Sequence, residues 1–224
     1  MGMRRRATVS RWAMVGFAVV LSQACGSSIV PRSTAPSPRA EEAKTERVRV
    51  LHSYLLDRLR DLESRSARLH AALDSIRSGN IDVLIGTPEL LAAAAPLLGW
   101  QMAPPRVGEF AAMLDNQSGK LQTLIVRVDL QRLAQLSRSR TAYMLAWFSR
   151  RRQRAQLDRL VDAVLIHEVW GHLVPVALAG TISARCSDPE PGEAELDSCV
   201  MLRENELRRE MGLPARRHYA VDAR

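Results

Sequence analysis

From Asp158 to about Val174 the chain carries its strongest helical pattern, and residues 165–175 read Leu-Ile-His-Glu-Val-Trp-Gly-His-Leu-Val-Pro. Two histidines and a glutamate thus stand inside an apolar helix. Their spacing restricts the backbone. A regular α-helix turns about 100° per residue, so residues four apart lie about 40° from each other on its surface and residues five apart about 140°. His167 and His172 are five apart, and a regular helix cannot bring both rings to one point. One extra residue must be absorbed, most simply as a π-bulge, a distortion frequent at functional sites. The sequence offers help at the right place. Gly171 accepts unusual backbone angles, and Pro175 lacks the N–H that would bond the Gly171 carbonyl.

Two helix-borne histidines with a glutamate after the first form the pattern of a zinc site, where the usual spacing is four residues. Composition alone would produce the longer spacing in under about one such chain in a hundred. Two neutral imidazoles and one carboxylate leave zinc a fourth position for water. The metal lowers the pKa of that water toward about 7. Glu168 can then take the proton and return it to a leaving amine. The competing reading is a helix with two surface histidines and one glutamate that bind nothing.

His167-Glu168-Val169-Trp170-Gly171-His172 resembles the HExxGH signature of dipeptidyl peptidase III-type zinc peptidases, where the inserted residue is tolerated. Downstream, Glu204-Asn205-Glu206-Leu207-Arg208 and then Gly212-Leu213-Pro214 and Tyr219 resemble the tail of zincin-type peptidases found as secreted bacterial effectors and at the ends of RHS-repeat toxins. In those families the acid after the zinc helix supplies the third ligand. The resemblance implies one Zn2+ held by His167, His172 and Glu204, with Glu206 and Glu195 as competitors for the third place. It implies a peptide, a protein or a peptidoglycan crosslink as substrate. By position, Tyr219 or Arg217 would stabilise a developing oxyanion. The same likeness lays the strand Leu121–Val128 along an extended substrate, in the manner of β-augmentation.

The N-terminus reads as an export signal. Arg4, Arg5, Arg6 and Arg11 precede an apolar run from Trp12 to Leu21, and Ser22-Gln23-Ala24-Cys25-Gly26 follows. A charged start, a short apolar core and small residues at a cleavage point define a signal peptide over 1–24. The run is too short to span a bilayer, which takes about 20 apolar residues. Around Cys25 the segment resembles a lipobox, with Leu21 four residues before the cysteine rather than three. Lipidation at Cys25 would make a membrane-anchored lipoprotein of the cell envelope. Ser22 and Ala24 equally suit ordinary cleavage and free secretion. Residues 25–40, rich in Ser and Pro, read as a flexible tether. Cys186 and Cys199 remain, and in an oxidising compartment they are expected to pair. The formal charge of +8 rests almost wholly on arginine, with Lys44 and Lys120 as the only lysines. These charges are scattered among acids with few aromatic neighbours, so nucleic acid is not expected as a partner. The densest cluster, Arg150 to Arg154, reads as a solvated helix face, with a phosphate-binding patch as the alternative.

Residues 41–78 show leucines and other apolar residues at helical steps, from Val48 to Ile76, and predict one long amphipathic helix. It would pack on the domain or, as a minority reading, pair as a coiled coil. A short β-type run covers Ile81–Ile85, and Thr87-Pro88 opens an Ala-rich helix expected to be buried. Glu109–Leu114 and Leu121–Val128 predict a β-hairpin. A last helix is expected from about Glu193 to Met211, closed by Gly212. His52 and His70 are expected to be structural. The fold expected over 79–224 is α+β, a helix-rich zincin-like domain with a small sheet beside the zinc helix. The competing functions are a catalytically inactive metal-binding lipoprotein and an envelope interaction protein without metal.

Overall fold

The computed structural model describes residues 29–31, 47–94, 107–115, 117–141, 146–186 and 198–217. The fold is α+β. In chain order it contains β1 (Ile29–Pro31), β2 (Val48–Val50), α1 (Ser53–Arg65), α2 (Ala67–Arg77), β3 (Asp82–Gly86), α3 (Pro88–Ala94), β4 (Gly108–Leu114) and β5 (Leu121–Val128). It continues with α4 (Leu130–Thr141), α5 (Ala146–Leu165), a π-helical segment (Ile166–Leu173), α6 (Val174–Ala179), a 3-10 turn (Ile182–Ala184) and α7 (Cys199–Glu210).

The sheet has the order β1-β4-β5-β3-β2, with the short β1 lying parallel along the edge of β4. β4 and β5 form the expected antiparallel hairpin. Its turn is built by Asp115, whose carboxylate accepts hydrogen bonds from the N–H groups of Gln117 and Ser118 at 3.1 and 2.7 Å. Gly119 takes a φ of 65° there, which a side chain would strain. β5 is the central strand, paired with β4 on one side and β3 on the other. Its backbone groups are therefore used within the sheet. This corrects the expectation that Leu121–Val128 lies along a substrate, because β-augmentation needs an exposed edge.

Three further expectations are corrected. The span 41–78 is not one helix: Val48–Val50 pairs with β3, and the helix breaks at Ser66. Ser66 has extended angles (φ −138°, ψ 112°) and its hydroxyl accepts from the Leu69 N–H at 3.1 Å, so it ends α1 and caps α2. The apolar stripe that suggested a continuous helix is real, but both halves face one core. Leu55, Leu59, Leu62, Leu69, Leu73 and Ile76 share a buried cluster with Val83, Phe110 and Leu124 of the sheet and with Leu165 and Ile166 near the histidines. Residues 48–77 thus belong to the same hydrophobic unit as the rest. Second, α3 buries only Leu91; Leu90 and the three alanines 92–94 are exposed. Alanine-rich composition makes a helix without dictating burial. Third, within the stretch expected to be a tether, Ile29–Pro31 forms β1; Cys25 and residues 1–24, expected to be a signal peptide, lie outside the described residues.

Polar ties fix α1 against α5. The Tyr54 hydroxyl donates to Asp158 Oδ1 at 2.6 Å. Arg58 makes a two-pronged contact with Asp162, Nε to Oδ1 at 2.9 Å and Nη2 to Oδ2 at 2.6 Å. His52 caps α1 by accepting from the Tyr54 N–H at 3.2 Å, and His70 sits beside Glu63 and Asp74, so both serve structure. Burial, followed by the bond to Asp158, pushes the Tyr54 phenol above its usual value near 10. A group raised in this way stabilises the fold fully below its unfolded pKa and loses that contribution as pH rises through the folded value. Tyr54→Phe should therefore cost about 1 kcal/mol at pH 7. Urea titrations of both proteins should show this gap narrowing as pH is raised beyond 10.

Candidate metal centre

The helix that enters this region as α5 changes register at Ile166. From Ile166 to Leu173 the backbone is π-helical, and the Val174 N–H donates to the Val169 carbonyl, five residues back. A five-residue hydrogen-bond step brings residues five apart onto one face. The expected bulge is thus a full eight-residue segment. Pro175 falls in the first turn of α6, where the α register resumes.

Gly171 acts differently from the sequence reading. Among the described glycines only Gly119, Gly180 and Gly212 have positive φ, so Gly171 is not needed for unusual backbone angles. It is needed for space: a Cβ there would stand 2.6 Å from Val200 Cγ2 of α7. The glycine lets α7 press against the π segment. Trp170 reinforces this contact by donating its indole N–H to the Arg203 carbonyl at 2.9 Å, with the Arg203 guanidinium 5.3 Å from its ring centre.

The π register turns the two imidazoles toward each other. His167 Nε2 and His172 Nε2 are 3.2 Å apart, and the rings meet edge to face at 90°. Two nitrogens bound to one tetrahedral zinc-sized ion at about 2.0–2.1 Å would be about 3.3 Å apart, so the pair fits a shared cation. Glu168 completes the group. His167, Glu168 and His172 each offer a ligand atom, and these atoms lie within 4.8 Å of one another. Glu168 Oε1 is 4.0 Å from His167 Nε2. This group could hold a metal ion.

Each imidazole is oriented through its other nitrogen. His172 Nδ1 lies 3.0 Å from the Cys186 carbonyl. A carbonyl only accepts, so Nδ1 carries the proton and Nε2 presents a lone pair. The Phe110 ring stacks at 6.1 Å from the His172 ring, 20° from parallel. His167 Nδ1 is hydrogen-bonded to the Glu204 carboxylate. Glu204 is fully buried and accepts from Arg216 Nη1 at both oxygens, at 3.0 and 2.9 Å. The Asn205 side chain clasps the backbone of Arg216, accepting from its N–H at 2.6 Å and donating to its carbonyl at 3.1 Å.

This geometry corrects the role expected for Glu204. Its carboxylate lies on the far side of the His167 ring from the facing Nε2 atoms, where it orients the imidazole and raises its basicity instead of entering the ligand group. Glu206 is exposed on α7 and Arg217 is exposed beyond it. Glu195 and Tyr219 lie outside the described residues. The carboxylates also shift the proton affinities of the groups around His167. Burial works against a charged His167, but the charge of Glu168 and the hydrogen bond to Glu204 outweigh it and raise the imidazole above its usual value. Burial likewise opposes ionised Glu204, yet its bond to His167 and the charge of Arg216 lower its pKa.

Two residues escaped the sequence reading. Gly108, the first residue of β4, leaves room for the catalytic candidate: a Cβ there would lie 2.7 Å from Glu168 Oε1 and 2.6 Å from Val164 Cγ1. Its signal was an isolated glycine at a strand end, which often marks close approach. Arg216 carries no local signal that sets it apart from Arg217; a buried acid on α7 calls for a counter-charge, but burial is not visible in the sequence. The expected Cys186–Cys199 disulfide is present, with Cα atoms 5.3 Å apart, and closing its loop contributes about 3 kcal/mol.

No known protein family, curated protein or solved structure matches this chain.

Two outcomes follow from the geometry. Glu204→Gln should weaken metal binding roughly 10- to 100-fold, as loss of an orienting carboxylate does, measured by competition with a chromogenic chelator. Gly171→Ala should destabilise the fold by about 1–3 kcal/mol through overpacking against Val200. Val200→Ala in the same chain should recover part of that loss in denaturant melts.

Proposed function

We propose that this chain is an exported zinc-dependent peptidase, zincin-like in its site, in which His167 and His172 bind the metal through Nε2 and Glu168 handles the proton. The observation that carries this reading is the 3.2 Å approach of the two Nε2 atoms across the π segment. Two neutral imidazoles with a carboxylate nearby suit zinc, which favours nitrogen ligands and tetrahedral sites. Bound there, zinc would supply an acidified water and polarise a substrate carbonyl. Glu168 takes the proton and delivers it to the leaving amine. Gly108 leaves its carboxylate room, and Glu204 with Arg216 keeps His167 from rotating away. Export is supported by the arginine-led apolar start of the chain and by the disulfide, which suits an oxidising compartment. The segment around Cys25 supports a lipid anchor at the envelope, and the substrate would be a peptide, a protein or a peptidoglycan crosslink.

A second reading, a metal site without turnover, is favoured by one observation. Glu204 stands behind His167, so Glu168 is the carboxylate within the ligand group and would serve as a ligand instead of a base. Metal content and turnover of Glu168→Gln separate the two. Under the peptidase reading the variant keeps one zinc per chain and loses at least about a hundredfold in turnover on unfolded-protein or peptide substrates. If zinc is lost along with Glu168, the carboxylate is a ligand and the second reading stands. His172→Ala should bind no stoichiometric zinc; full zinc in that variant would end both readings.

A further inference from the structure

Residues 212–216, which follow α7, form no regular element, yet several contacts bind them back onto that helix. Gly212 turns the chain with its φ of 68°. The Leu213 N–H donates to the Arg208 carbonyl at 2.8 Å. Arg208 Nε donates to the Pro214 carbonyl, also at 2.8 Å. Asn205 then grips Arg216 by its N–H and its carbonyl, at 2.6 and 3.1 Å. Leu213 packs against the main core. Ordering an irregular segment costs conformational entropy, and here side chains from two positions on α7 hold its backbone. What the segment delivers at its end is one guanidinium. Arg216 Nη1 donates to both oxygens of Glu204, at 3.0 and 2.9 Å, and Glu204 in turn bonds to His167 Nδ1.

We infer that Arg216 is a positioning residue of the metal centre, and that the strap 212–216 sets how firmly the centre holds a cation by fixing Glu204 behind His167. The inference rests on the metal reading of His167 and His172. It extends that reading to a segment that acts on the cation only through another residue. An imidazole serves a metal well when its second nitrogen is held by a fixed partner. A glutamate side chain is long and rotatable, so a carboxylate bonded to the ring alone can swing with it. Arg216 ties both carboxylate oxygens to a point that the Asn205 clasp has already fixed. Both contacts come from the single nitrogen Nη1, so a compact cation at that point would serve nearly as well as a guanidinium. Burial sharpens the dependence. A buried charge that loses one partner is costly, so Glu204 without Arg216 is driven to rearrange, and the support of His167 goes with it.

The test is a double-mutant cycle on zinc affinity, measured on the full chain by competition with a chromogenic chelator. Arg216→Met should weaken zinc binding roughly 10- to 100-fold, the range for losing a group that supports a ligand. In a Glu204→Gln chain the same substitution should cost less than about threefold more, because two residues that act through one path are not additive. Arg216→Lys should stay within about threefold of the wild type, since an ammonium is a compact charge. Asn205→Ala leaves both charges in place and should still weaken binding by at least about threefold. Denaturant melts of the metal-free proteins separate stability from affinity. A purely structural Arg216 would lower stability and leave the zinc affinity of the folded chain unmoved. Wild-type affinity in Arg216→Met, or losses that add in the double variant, would overturn the inference and leave the metal reading standing. If Arg216→Met does not fold, Asn205→Ala decides in its place, and wild-type affinity there overturns the role of the strap. A wild-type chain that takes up no zinc would instead end the metal reading, and this inference with it.

Discussion

Two imidazoles can share a cation only where the backbone brings them to one side, and in this chain that requirement falls on eight residues of π-helix. The π-helix is rare and is found mostly as single-turn bulges, so a segment of eight residues needs its surroundings to hold it. Here α7 does so. Val200 occupies the space that a side chain at 171 would fill, and Trp170 reaches across to the backbone of Arg203. The sheet supplies the opposing wall, with Phe110 stacked near His172 and Gly108 making way for Glu168.

Polar satisfaction explains why α7 is placed as it is. A carboxylate buried as deeply as Glu204 is costly without partners, and its partners come from two directions: His167 from the π segment and Arg216 from the segment after α7. Asn205, one residue along, holds the backbone of Arg216 in the reach of that carboxylate. The three residues thus act as one unit, and the turn at Gly212, with a φ of 68°, sends the chain back so that the unit can form. A comparable arrangement spans the hairpin, where Glu109 and Arg127 stand as cross-strand neighbours with a 2.8 Å contact, both almost entirely buried.

Much of this was legible in the sequence for reasons that can be named. A hairpin with an alternating second strand and a polar turn has strictly local causes, and β4 and β5 follow them. The misfit of a five-residue histidine spacing with the α-helix forces a distortion whatever the rest of the fold does, so the π segment was foreseeable. Burial was not. The leucine stripe from Leu55 to Ile76 looks the same whether one helix or two carry it; only the neighbour relations of Ser66, which also donates to Glu210 at 2.9 Å, decide for two. The side of the His167 ring that Glu204 approaches depends on how α7 packs, which no local pattern encodes. Gly171 shows the same limit: the residue was singled out correctly, and its reason lies in a contact with a residue 29 positions away.

The disulfide ties two parts of the site together by a single covalent link. Cys186 presents the carbonyl that orients His172, and Cys199 is the first residue of the helix that bears Glu204. With the thiols reduced, the support behind each histidine is held in place by non-covalent packing alone. Oxidation therefore preorganises both ring nitrogens in one step, and the oxidised chain would hold a cation at this group more firmly than the reduced one.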